Sequence, residues 1–272
     1  MTPEAGTYSL LINDSELSWI GTELSTKTHT GTIDFTDGTT GKLDRSIYDD
    51  ATEIDPEWFF EMRDPRMKAS IFYPGSSFKE GTVFFHRSMT GTKIDWPQSG
   101  PSKHVGSLAT GLLIRKRTNP ETPDATRSST DYIVYRLGEI ILNYVEAAYY
   151  LNDPNGDMLA NINNLRNRAG MPSLSLSQLD ENKIRQERRC ELAFEDHTFW
   201  DLRRWRIAVE ELDNRQRHRL HYRYNANTNR YTIEMAPGDL GGVRLHPPRN
   251  YYYALGLSRL ADNPKLIENP GY

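Results

Sequence analysis

Glu187, Glu191 and Glu195 recur every four residues in Glu187-Arg188-Arg189-Cys190-Glu191-Leu192-Ala193-Phe194-Glu195. The stretch continues into Phe199-Trp200-Asp201-Leu202-Arg203-Arg204-Trp205. Four-residue steps stack the three carboxylates on one helical face. Ala193, Phe194, Trp200 and Trp205 need cover on the same element. Any fold of this chain must therefore bury a charged stripe together with aromatic rings, and buried charge requires partners. The spacing predicts one helix from about residue 178 to 212. It also predicts a structural ion-pair network of Glu187, Arg188, Glu191, Glu195, Asp201 and Arg204, with Arg188 and Arg204 meeting carboxylates on neighbouring elements. Paired carboxylates can do acid–base work. Opposite signs at four-residue steps neutralise each other, however, so locking the helix to the segments that wrap it is the favoured reading.

Upstream, Ile133, Leu137, Ile140, Ile141, Tyr144, Val145 and Ala148 recur at helical steps, with the break at Asn152-Asp153-Pro154-Asn155-Gly156. Met158, Leu159, Ile162 and Leu165 form a second stripe that stops at Gly170, just before Pro172. The two make an αα-hairpin, the unit of helical-repeat scaffolds. Downstream, Arg219 to Tyr224 and Arg230 to Met235 flank Asn225-Ala226-Asn227-Thr228-Asn229 and predict a β-hairpin.

Residues 1–130 have a different texture, rich in Gly, Thr, Ser, Asp and Pro, with 18 acidic and 14 basic residues against 19 and 19 in 131–272. Tyr8 to Ile12 and Thr82 to Phe85 read as short strands. Asp55 to Met62 reads as a short helix capped by Asp55, with Pro56 in its first turn. Segments 21–46 and 97–107 carry the punctuation of long loops. The expected organisation is a loop-rich segment over 1–130 and a helical region over 131–272, folded as one compact unit. The fold class is mainly α, with long loops and a few short β-hairpins.

Several functions are disfavoured at this stage. The formal net charge of −4 lacks the basic excess that nucleic acid demands. No apolar run approaches the length of a transmembrane helix, and the first residues lack the basic and apolar regions of a signal peptide. A single cysteine, Cys190, excludes an internal disulfide framework and a Cys-rich zinc site. No metal-ligand spacing, phosphate loop or nucleophile elbow is present, so neither metal nor cofactor is expected. His218 and His221 lie among arginines on the predicted hairpin and read as a solvated face.

Aromatics in loops are the chemistry that remains. A flat ring can stack on the C–H face of a sugar while neighbouring polar groups bond its hydroxyls, and each ring covers about 150–250 Å². Trp19, Tyr73 before Pro74-Gly75, and Trp96 with Asp95 beside it are the candidate platforms. Trp58, Trp200 and Trp205 sit on helical stripes and are expected in the core.

The two Glu/Arg/aromatic stretches resemble the SusD/RagB family. So do Ile162-Asn163-Asn164-Leu165-Arg166-Asn167-Arg168-Ala169-Gly170-Met171-Pro172, Asn263-Pro264-Lys265-Leu266 and the terminal Asn269-Pro270-Gly271-Tyr272. The likeness is weaker through Asp64-Pro65-Arg66, Thr110-Gly111-Leu112 and Arg115-Lys116. The family comprises outer-membrane surface lipoproteins of the Bacteroidota that capture glycans or other nutrients over a TonB-dependent transporter of the SusC type. The resemblance implies non-catalytic binding of an oligosaccharide or polysaccharide, a transporter partner, tetratricopeptide-like helical pairs and an outer-membrane location. Family members are about twice as long and carry a lipobox cysteine. The chain is therefore expected to be the C-terminal half of such a protein, without the anchor. A scaffold that docks the transporter, with ligand binding in the other half, is the alternative.

Overall fold

The computed structural model describes residues 33–34, 42–43, 64–73, 76–78, 81–84, 87–88, 103–105, 112–121, 130–153, 157–214, 218–225, 230–237 and 245–272. Trp19, Trp58, Asp95 and Trp96 lie outside them, as do the expected strand at 8–12 and helix at 55–62. The described fold is mainly α, with short strands. Two compact units are present: Met1–Glu195 with Arg219–Ala236, and Asp196–His218 with Pro237–Tyr272. The change of composition at 130/131 is one of texture, since both sides of it contribute to the first unit.

In the first unit, β1 (Ile33–Asp34) and β2 (Lys42–Leu43) form a short antiparallel ladder within the stretch expected as a long loop. Helix α1 (Arg66–Ser70) leads directly into β3 (Ile71–Phe72), which pairs antiparallel with β8 (Leu113–Ile114). β4 (Ser77–Phe78) and β5 (Gly81–Phe84) form a hairpin. β7 (Lys103–Val105) joins β5 in parallel, again inside an expected loop. β6 (Arg87–Ser88) pairs in parallel with β9 (His218–Asn225), whose other neighbour is β10 (Arg230–Pro237). A connection as short as 226–229 permits only an antiparallel β9–β10 pair.

The core of this unit is built on α2 (Leu137–Leu151), α3 (Asp157–Arg168) and α4 (Glu181–Glu191). Val145, Ile162, Leu174, Leu179 and Ile184 form one buried cluster, and Leu142, Leu165 and Leu192 a second. Each such side chain contributes about 1.5–3 kcal/mol by leaving water. Leu137, Ile140 and Tyr144, expected on the core stripe, are exposed, as is Ile133, which precedes the helix. α2 is apolar nearly all round, so periodicity could not select its inward face.

Local chemistry sets the helix ends. Asp180 caps α4 by accepting from the Lys183 amide at 2.7 Å. Gly170, at φ +77°, closes α3, and the Met171 amide reaches back to the Arg166 carbonyl at 2.8 Å. Asn163 then holds the chain after the helix, bonding both the amide and the carbonyl of Leu174.

The single helix expected over 178–212 is three: α4, α5 (His197–Arg204) and α6 (Ala208–Leu212). Phe194, Asp196 and Arg206 adopt left-handed backbone at φ 64°, 63° and 62°. None is the glycine that normally marks such a stop. The second unit contains α5, α6, a 3-10 turn at Pro248–Tyr251 and α7 (Leu257–Asp262).

Candidate functional site

The carboxylate stripe of α4 is met by cations from four segments distant in sequence. Arg66, at the start of α1, forks onto Asp64 at 2.9 and 2.7 Å. Its remaining nitrogen reaches Glu187 Oε1 at 2.5 Å and Glu191 Oε2 at 3.1 Å. Arg166, on α3, donates to Glu187 Oε2 and to the Pro172 carbonyl, both at 2.8 Å, and neither Arg166 nor Glu187 has any exposed side-chain surface. Arg136, at the N-cap of α2, contacts Glu191 Oε1 at 2.7 Å and both Glu195 oxygens at 2.7 and 2.9 Å. Arg168 adds a bond to Glu191 Oε1 at 2.6 Å, and Lys116 one to Glu195 Oε1 at 2.5 Å.

The same cations terminate the helix. Arg136 donates to the Glu191 carbonyl at 2.6 Å. Lys116 donates to the carbonyls of Glu191 and Ala193 at 2.9 and 3.1 Å. These carbonyls belong to the negative end of α4, so side-chain cations satisfy both its unbonded acceptors and its dipole.

Burial pushes the Glu191 and Glu195 carboxyls up, but bonds to Arg136, and to Lys116 at Glu195, more than offset it. Both are held below the usual glutamate range. Burial lowers the Lys116 ammonium despite the opposing bond to Glu195. It also opposes the charge on Arg66, which the Asp64 bond and the field of Glu187 raise overall. A general acid needs the opposite shift, towards neutrality at working pH. With every carboxylate oxygen of Glu187, Glu191 and Glu195 facing a cation, this arrangement locks segments together and is ill suited to proton transfer.

A pH dependence follows. Carboxyls depressed in the folded state stabilise it fully above their unfolded pKa, about 4.3. That contribution disappears as pH falls through the lower folded values. The urea midpoint should hold steady from pH 7 to about 5 and drop steeply below about 4. A Glu191→Gln, Glu195→Gln chain should show a shallower acid limb.

The remaining residues named for the network have these contacts. Arg188 bonds the Asn143 amide oxygen on α2 at 2.7 Å. Arg204 meets Asp201 on its own helix at 2.8 Å. Tyr73 is half-buried, in a turn whose Tyr73 and Ser76 amides bond the Ser76 hydroxyl and Tyr73 carbonyl respectively.

The second unit corrects the assignment of Trp200 to the core: its side chain is 55% exposed, and Phe199 beside it is 39% exposed. α5 presents both rings outward because the opposite face carries the buried Asp201 and Leu202. Arg203, buried, stacks on Phe199, Trp200 and Tyr253 and donates to the Tyr251 carbonyl at 2.5 Å. The terminal Asn269-Pro270-Gly271-Tyr272 holds that tyrosine segment. Asn269 donates to the Tyr253 carbonyl at 2.7 Å, and the Tyr272 hydroxyl to the Tyr252 carbonyl at 3.1 Å. Gly271, at φ +91°, is required there, since a Cβ would lie 2.8 Å from Arg249 Cβ.

The chain is similar to known proteins. A solved SusD-like protein of Bacteroides fragilis superposes with a TM-score of 0.60 at 27% identity, over 82% of this chain and 42% of its own. SusD-like protein P2 of Formosa agariphila is 32% identical over 93 residues, 30% of this chain and 18% of the relative. The chain thus spans less than half the length of either. The SusD family profile matches residues 19–272. With its helical pair, its Glu/Arg-locked helix and its clamped C-terminal segment all inside that match, the chain belongs to the SusD family.

Proposed function

We propose that the chain takes part in capturing a glycan nutrient at the bacterial outer-membrane surface and passing it to a TonB-dependent transporter of the SusC type. The family match over 19–272 carries this reading. The locked carboxylates support it by favouring binding over acid–base chemistry. Capture rests on ring stacking and hydroxyl bonding, for which Trp19, Tyr73, Trp96 and the neighbouring Asp95 are the first candidates. Among the described residues no helix is long and apolar enough to cross a membrane.

Native electrophoresis through gels containing xyloglucan, laminarin, amylopectin or pectin tests the proposal. Retardation in at least one gel is expected. Weaker retardation of Trp19→Ala or Trp96→Ala, with an unchanged thermal melt, would locate the platform. Retardation in none would remove glycan capture from this chain.

A second reading has its own observation. Leu137, Ile140, Tyr144 and Leu151 line an exposed apolar stripe along α2, and such stripes mark protein contacts. A scaffold docked on the transporter predicts co-purification with the barrel that Leu137→Glu and Leu151→Glu abolish, without glycan retardation.

A further inference from the structure

The second unit carries exposed aromatic rings whose positions are set from beneath. Trp200 and Tyr253 are 55% and 61% exposed, while Arg203, in contact with both, is only 9% exposed. The Arg203 Cζ lies 5.6 Å from the Trp200 ring centre and 4.7 Å from that of Tyr253. The guanidinium thus lies against both rings, while more than half of each aromatic residue's surface is exposed. The two ring centres can be no farther apart than those two lengths laid end to end, which suits neighbouring sugar residues.

The rings are also immobilised. Phe199 meets Trp200 edge-on at 5.1 Å. The C-terminal clamp holds the backbone of Tyr252 and Tyr253. Beside them, Arg206 stacks on Tyr252, 5.5 Å from its ring centre, and bonds its hydroxyl at 3.1 Å. An arginine has five N–H donors, so this pair adds polar groups to the same tyrosine segment.

We propose that Trp200 and Tyr253 form a carbohydrate-stacking platform in the second unit, separate from the candidate loops at Trp19, Tyr73 and Trp96. The proposal rests on the glycan-capture reading and adds a location to it. A sugar is the favoured occupant for three reasons. Rings already held in place lose little freedom on binding. A pyranose needs only one or two flat faces and a polar rim. A stable protein partner needs about 800 Å² per side around a continuous apolar centre, more than two rings of about 150–250 Å² each supply.

The test uses the full chain in the same polysaccharide gels, with Trp200→Ala, Tyr253→Ala and the ring-preserving Trp200→Phe, each checked by thermal melt. The expected result is roughly tenfold weaker retention for each alanine variant in the gel that retards the parent chain. Most of the retention should survive in Trp200→Phe. Tyr253 lies outside any helix, so its variant carries the test if Trp200→Ala melts early. Full retention of Tyr253→Ala together with a cooperatively melting Trp200 variant overturns the platform and leaves glycan capture standing. No retention of the parent chain in any gel overturns both.

Discussion

Glu187→Ala should lower the unfolding free energy by about 3–5 kcal/mol, the usual cost of stranding a buried charge by deleting its partner. Glu187 is fully enclosed and faces Arg66 on one oxygen and Arg166 on the other. Removing it takes a carboxylate partner from Arg166, which has no exposed side-chain surface. Against a typical total of 5–15 kcal/mol, that loss is a large share of the fold's stability. Urea melts measure it directly. Glu187→Ala in an Arg166→Met background should cost markedly less than in the parent chain, because the stranded cation is gone. A cost below about 1 kcal/mol in the parent would show that the pair does not hold α3 to α4.

Arg136→Ala should be comparably damaging, at about 3 kcal/mol or more. Three of its nitrogens serve Glu191 and Glu195, and the same guanidinium caps the Glu191 carbonyl. Its loss therefore takes one cation from two carboxylates and from one helix end together. Gly138→Ala reaches the same place by another route. A Cβ there would overlap Arg136 Nη1 and lie 3.0 Å from Glu191 Oε1, forcing the fork off its carboxylates. A loss of about 1–3 kcal/mol is expected, as for other overpacking substitutions. Since alanine is the better helix former, a stabilised Gly138→Ala chain would show that the fork can shift freely. Urea melts of both variants, with amide exchange at the end of α4, decide the matter.

Much of the framework was legible in the chain itself. The α2–α3 helical pair, the Gly170 stop and the β9–β10 hairpin all follow from spacing and local turn chemistry. These act within a few residues, which is the range that pattern reading covers. The three glutamates at four-residue steps, two on α4 and Glu195 just beyond it, also announced that cations would have to meet them. Which cations those are was not legible: Arg66, Lys116, Arg136, Arg166 and Arg168 come from positions 21 to 125 residues away from the glutamates they meet. A demand for compensating charge was the only available signal, and it carries no address.

The same distance effect explains the two clearest departures. α4 stops at Glu191 with neither glycine nor proline, because Lys116 and Arg136 bond its last carbonyls. Trp200 was placed in the core because helical spacing marks a stripe without saying which stripe faces inward. The buried Asp201 and Leu202 took the inward side of α5 and left the indole outside. The sequence by itself determined the α2–α3 pair, its stop at Gly170, the β9–β10 hairpin and the presence of a charged helix in need of partners. The tertiary structure alone decided where that helix ends, which cations enclose it and which aromatics reach solvent, since each depends on contacts between residues far apart along the chain.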